Sequence, residues 1–219
     1  HCGDNRAMQE VPIWGEGLRW MVEWAATAAF ALSGIMEAAR KRLDAVGVCV
    51  VGFLAAFGGG TLRDLLLDQR PFFWVRHVEA LWFVMLLCVL AMFFLRRRHF
   101  DLTERAIQWP DALGLGLFTA TGVHQALLLD VPAVVAVIMG VITGVFGGVL
   151  RDIVCNQIPS AFHDHRPYAV CAFAGGWLYV ALWQADGAPW LALLSCVGVT
   201  AGLRGLALWR NWQLPAWRA

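Results

Sequence analysis

The chain has 219 residues, 59% of them apolar and only 15% charged, with twelve Trp and a formal net charge of +1. Together with a mean hydropathy of +0.60, this excludes a soluble globular domain, and the scatter of basic residues to helix ends excludes a nucleic-acid-binding stripe. The composition fits an all-α polytopic membrane protein, a single membrane domain over residues 1–219 with about seven spans of roughly 20 residues each.

The first eighteen residues are polar and acidic at Asp4, Glu10 and Glu16, with no basic stretch leading into a short apolar core, so no cleavable signal peptide is expected. Apolar spans are predicted at about 21–39, ending on Arg40-Lys41-Arg42, at about 44–67, and at about 78–95, ending on Arg96-Arg97-Arg98-His99. A polar link over 100–110 leads to spans at about 111–129 and 132–155. After a link containing His163-Asp164-His165, two more spans follow at about 168–184 and 189–209. His163 and His165 could chelate a metal only if a third ligand folded over them, so the loop reads as surface and no metal site is expected. The six Cys show no CxxC spacing and read as buried thiols.

Short cytoplasmic loops carry an excess of Lys and Arg. With the N-terminus outside, eleven basic residues from Arg40 to Arg218 fall on or near the inner side and four (Arg6, Arg19, Arg70, Arg76) outside. The expected arrangement is N-out and C-in, in a bacterial inner membrane, with most Trp acting as interfacial anchors.

Inside the second span lies Gly58-Gly59-Gly60-Thr61-Leu62-Arg63-Asp64, and 88 positions later the fifth span holds Phe146-Gly147-Gly148-Val149-Leu150-Arg151-Asp152. Residues 27–71 align with 115–159 without a gap, matching Gly34 with Gly122, Gly52 with Gly140, Gln69 with Gln157 and Pro71 with Pro159. Each repeat, about 21–95 and about 111–184, holds three spans. An odd number makes the second enter the membrane from the opposite side, so the repeats are inverted, and 189–209 is an extra helix.

The second and fifth helices are then expected to meet near the bilayer centre, kinked at Gly58, Gly59, Gly60, Gly147 and Gly148, with Arg63 and Arg151 bracketing a constriction together with Asp64 and Asp152. An Asp next to an Arg projects about 100° further round the helix, so each acid is expected to find its partner on another helix. Glu37 is the nearest acid available by composition. Ser33, Glu37, Thr61, Thr119, Thr121 and Gln125 are candidate polar lining. A plainer reading makes each Arg-Asp pair a helix end and the glycines packing positions; the duplication of a costly arrangement argues against it. His124 reads as a helix-packing histidine or a proton relay. Gly198 and Gly202 read as a close helix contact, within the protomer or between protomers.

At these residues the chain resembles the prokaryotic trimeric intracellular cation (TRIC) channel family, whose sequence domain is also labelled a glycine transporter domain. The resemblance covers both repeats and the last helix. It implies a homotrimer with one pore in each protomer, lined by the second and fifth helices and conducting monovalent cations, chiefly potassium. Membrane lipids and permeant potassium or sodium are the implied contacts, with no other cofactor. Physics alone leaves the ion open, because two arginines favour anions whereas carbonyls, Asp64 and Asp152 favour cations. A secondary carrier for a small zwitterion such as glycine would use the same inverted repeats. A membrane scaffold would leave the buried charges unexplained, and no residue set suggests an enzyme.

Overall fold

The computed structural model describes residues 13–97, 103–163, 166–213 and 215. The segment before Ile13, and Asp164 and His165 of the proposed loop pair, lie outside these residues. Among the described residues the chain forms nine helices: α1 (Ile13–Arg40), α2 (Ala45–Leu66), α3 (Phe73–Arg76), α4 (Val78–Arg97), α5 (Glu104–Leu127), α6 (Ala133–Val154), α7 (Ser160–His163), α8 (Ala169–Gln184) and α9 (Pro189–Arg210). The expected count of seven is exceeded by two four-residue helices, α3 and α7, which sit in the links after the two glycine helices. Three helices, α2, α6 and α9, are long and apolar enough to cross a membrane by composition alone.

Local chemistry accounts for most boundaries. Asp44 caps α2, its Oδ1 accepting from the Gly47 amide at 2.8 Å, and the Thr103 hydroxyl accepts from the Ala106 amide at the start of α5. The expected polar link over 100–110 is therefore half helical. Pro110 lies inside α5, early enough that one backbone bond is forfeited without ending the helix. Asp44→Ala should cost about 1 kcal/mol and Asp44→Asn almost nothing, read as a shift in melting temperature.

The long helices pack as two bundles, α1, α2 and α4 around one apolar cluster and α5, α6, α8 and α9 with α1 around another. Phe30 and Phe118, which are 88 positions apart, stack at 5.5 Å where the bundles meet. Bulky apolar side chains of α4, among them Trp82, Phe93 and Phe94, point away from the core and remain exposed, as expected for a surface facing lipid tails.

The bundles join through α2 and α6. A Cβ added at Gly59 would fall inside contact distance of the Thr143 carbonyl oxygen, and one added at Gly147 would stand 2.5 Å from the Ala55 carbonyl oxygen. Thr143 and Ala55 are themselves 88 apart, so the crossing is symmetric, and the order of contacts makes the two helices antiparallel. Both helices run without interruption through Gly58–Gly60 and Gly147–Gly148, the positions where kinks are expected, so no backbone bonds are opened there. A glycine lowers helix stability by only about 1 kcal/mol, whereas a backbone bond lost in hydrocarbon has no water to replace it. The ladder survives, and the absent side chains serve close approach instead.

Candidate functional site

Four residues past each crossing glycine, Arg63 and Arg151 lie on opposite sides of the α2–α6 contact, each about 9 Å from its middle along the helix axis. Both are almost fully buried, at 2% and 5% exposure. The guanidinium of Arg63 binds its neighbour, Nε donating to Asp64 Oδ1 at 2.8 Å. Arg151 does the same to Asp152 Oδ1 at 2.8 Å. This overturns the expectation that each acid must look to another helix: the Cβ vectors diverge, but the long arginine stem folds back and carries the charge to the adjacent carboxylate.

Each of these carboxylates has a second task. Asp64 Oδ2 accepts from the Phe73 amide at 3.2 Å, and Asp152 Oδ2 accepts from the Ser160 amide at 2.8 Å and its hydroxyl at 3.0 Å. The aspartates thereby tie the ends of α2 and α6 to the short helices that follow. In both loops the glutamine amide closes back on the aspartate carbonyl, Gln69 to Asp64 at 2.7 Å and Gln157 to Asp152 at 2.8 Å.

The partners from other helices are residues that motif reading missed. Arg63 Nη1 stands 3.7 Å from Glu23 Oε1 of α1, and Arg151 Nη1 donates to Asp111 Oδ1 of α5 at 2.6 Å. Asp111 also accepts from the Tyr168 hydroxyl at 2.7 Å, and Arg204 of α9 lies over the Tyr168 ring, 4.8 Å from its centre. Glu23 and Asp111 are 88 residues apart; extending the repeat by four positions at its N-terminal edge would have found both. Tyr168 and Arg204 have no repeat counterpart of their kind.

The remaining candidates divide. Ser33 Oγ accepts from Arg151 Nη1, and Gln125 Nε2 donates to Glu23 Oε1 at 2.8 Å, so both belong to the clusters. Glu37 does not reach either arginine cluster as a bonded partner; it is held by Arg40 at 2.8 and 3.0 Å. Thr119 and Thr121 turn their hydroxyls to the carbonyls of Leu115 and Phe118 in their own helix. Thr61 likewise bonds Phe57 and accepts from Trp74 Nε1 at 3.1 Å, giving Trp74 a packing role beyond an interfacial anchor. His124 Nδ1 lies 2.7 Å from the Tyr179 hydroxyl.

The charge count changes the reading of the site. With the acids ionised, Arg63 is answered by Asp64 and Glu23, and Arg151 by Asp152 and Asp111. Among the described residues each of these two arginines meets two carboxylates, all at 5% exposure or less, and Arg204, itself buried, stands behind Tyr168 in the second cluster. Buried charges of this kind are costly unless paired, and carboxylates on each side of a glycine crossing favour a cation between them.

Two antiparallel glycine helices, each ending in a buried arginine-carboxylate cluster, within three-helix units of opposite direction, define an integral membrane protein of the TRIC channel fold. The chain belongs to the family described as Glycine transporter, which matches residues 20–97 and 108–184; the two stretches start 88 residues apart. It is 36% identical over 202 residues to a UPF0126 membrane protein of Vibrio cholerae, covering 90% of this chain and 82% of that one. It is 34% identical over 200 residues to the UPF0126 inner membrane protein YadS of Escherichia coli K12, covering 90% and 95%. Among solved structures, it superposes on the TRIC trimeric intracellular cation channel orthologue from Rhodobacter sphaeroides with a TM-score of 0.83 at 31% identity, over 89% of this chain and 99% of that one. A second structure, from work on conductance through TRIC cation channels, gives a TM-score of 0.80 at 31% identity, over 91% and 97%.

Proposed function

We propose that this protein is a channel for monovalent cations, permeable to potassium, assembling as a homotrimer with a pore in each protomer along the α2–α6 crossing. The observation that carries this reading is that each of the two buried guanidinium groups is met by two carboxylates, Arg63 by Asp64 and Glu23 and Arg151 by Asp152 and Asp111. It removes the difficulty that two arginines alone would pose to a cation, and it occurs in a fold shared with TRIC cation channels. Conduction asks the arginines to remain tied to their acids, or to shift together with them. Residues 1–219 act as one membrane domain, N-terminus outside and C-terminus cytoplasmic, as the distribution of basic residues supports. A Cβ added at Gly198 or Gly202 of α9 would meet no described residue within 4 Å, which favours the between-protomer alternative for that small-residue face.

Reconstitution in a planar bilayer under a tenfold potassium chloride gradient tests the proposal. Unitary currents reversing near the potassium equilibrium potential are expected, and Glu23→Gln should move the reversal toward that of chloride, because it removes one of the two carboxylates that face Arg63. Reversal near the chloride potential in the unaltered protein would sink the reading. A second reading, carriage of glycine, is favoured by the family's description; saturable counterflow of labelled glycine without resolvable openings would select it.

A further inference from the structure

Away from the arginine clusters, the two repeats part company at a groove. Between the end of α1, the start of α2 and the side of α4 lies a cavity of about 330 Å³, bordered by Ala39, Leu43, Asp44, Val48 and Met92 and opening at Leu43 and Asp44, which are exposed. That is about twice the size of an apolar cavity that holds a benzene molecule. In the second repeat Leu127 takes the place of Ala39 and packs against a cluster that includes Val123, Ala136 and Val180, the counterparts of Ile35, Val48 and Met92. One repeat fills the position with a branched hydrocarbon side chain, and the other leaves it open.

The charge at the mouth differs too. Arg40-Lys41-Arg42 closes α1 beside the groove, where the second repeat has Leu128-Leu129-Asp130. Arg40 is held by Glu37 at 2.8 Å and Lys41 stands 2.6 Å from the Gln157 side-chain amide, whereas Arg42 is exposed and its side chain has no bonded partner among the described residues. The helix α4 passes the groove at Met92 and ends at Arg97, about 7 Å further along its axis. The turn and this helix end together carry Arg40, Lys41, Arg42, Arg96 and Arg97 against Glu37 and Asp44, and one Asp44 oxygen is already committed to the Gly47 amide. Basic clusters of that size at the end of spanning helices attract anionic headgroups. By the distribution of basic residues this end faces the inner leaflet.

We infer that the groove between α1, α2 and α4 binds an anionic phospholipid, one acyl chain lying along Ala39, Val48 and Met92 and the phosphate at Arg42. The acyl chain supplies the hydrocarbon that Leu127 supplies in the second repeat. Such a chain gains little by leaving other lipid tails, so selection rests on the headgroup, and a basic residue at the membrane surface is worth about fivefold in affinity for an anionic lipid. A second copy meeting this face symmetrically would set two basic turns against each other. The site rests on the protein's place in a membrane and not on what passes along α2 and α6, so its failure and that of the channel reading are separable.

The test is thermal unfolding of the full-length protein in detergent micelles carrying a rising fraction of phosphatidylglycerol or phosphatidylcholine, with free glycerol phosphate as a headgroup without a chain. Phosphatidylglycerol should raise the melting temperature to a plateau, half-saturating at least fivefold below phosphatidylcholine, and glycerol phosphate should leave it unmoved. Arg42 sits at a φ of 56°, which asparagine tolerates, so Arg42→Asn should fold and raise the half-saturating fraction of phosphatidylglycerol about fivefold. Ala39→Leu places the second repeat's own residue in the groove and should remove the plateau. Should that variant fail to fold, Arg42→Asn, altered at an exposed turn, decides the matter. An equal response to the two lipids, a response to glycerol phosphate, or an unchanged response in either variant overturns the assignment. A smaller assembly on size exclusion in Ala39→Leu, with the lipid response unchanged, gives the groove to a second copy instead.

Discussion

Asp111→Asn should destabilise the protein by about 3–5 kcal/mol, the loss expected when one member of a buried ion pair is removed and the other stays. The substitution keeps the shape and the bond from Tyr168, whose hydroxyl can still donate to the amide oxygen. It places a neutral group, with an NH2 among its polar atoms, against the Arg151 nitrogen that now donates at 2.6 Å. Asp152 remains, but it is already committed to Arg151 Nε and to the Ser160 amide and hydroxyl. Removing both charges, as Asp111→Asn with Arg151→Met, should recover part of the loss, since the desolvation of the guanidinium disappears with it. Melting curves of the two single variants and the double variant give the coupling directly. A loss below about 1 kcal/mol for Asp111→Asn would show that Asp152 alone compensates the arginine.

Gly59→Ala should be among the most damaging single-methyl additions in the chain, and Gly60→Ala, its neighbour, should be tolerated. At Gly59 the new Cβ meets the Thr143 backbone carbonyl, which belongs to a helix and cannot rotate away, so α2 and α6 must separate; at Gly60 the nearest group is the far end of the Arg63 side chain, at 3.8 Å. Overpacking against backbone costs about 1–3 kcal/mol or more. An alanine in open helical surroundings gains up to about 1 kcal/mol over glycine. The expected order of melting temperature is Gly60→Ala at or above the unaltered protein, then Gly147→Ala, then Gly59→Ala. Equal stability of the Gly59 and Gly60 variants would refute the close crossing of α2 and α6.

The same comparison shows why the glycine motif was legible only as a block. Gly58, Gly59 and Gly60 look alike in sequence, and each was expected to contribute to a kink. Only contact with α6 separates Gly59, which sets the distance of approach, from Gly60, which faces space. The aspartates were misread for a related reason. Helical phase places Asp64 away from Arg63, but the phase of a Cβ does not fix where a six-atom stem puts its charge, and the fold brings the pair to 2.8 Å. Glu23 and Asp111 were legible in principle through the repeat, yet nothing in their local sequence marks them as partners of an arginine forty residues away.

Composition by itself determined that the chain is helical and membrane-embedded, because an apolar backbone removed from water must bond internally and helices do so segment by segment. Periodic duplication by itself determined two units of opposite direction and the pairing of the second and fifth spans, since three crossings reverse the chain's direction. Tertiary structure alone decided that the glycines bring backbones together and leave the helices whole, that Arg63 and Arg151 are each met by two carboxylates, and that Nη1 of Arg63, unlike that of Arg151, finds no hydrogen-bond acceptor among the described residues. These depend on distances of a few tenths of an ångström between residues far apart in sequence, and in a medium of low dielectric such distances set the energy of a buried charge.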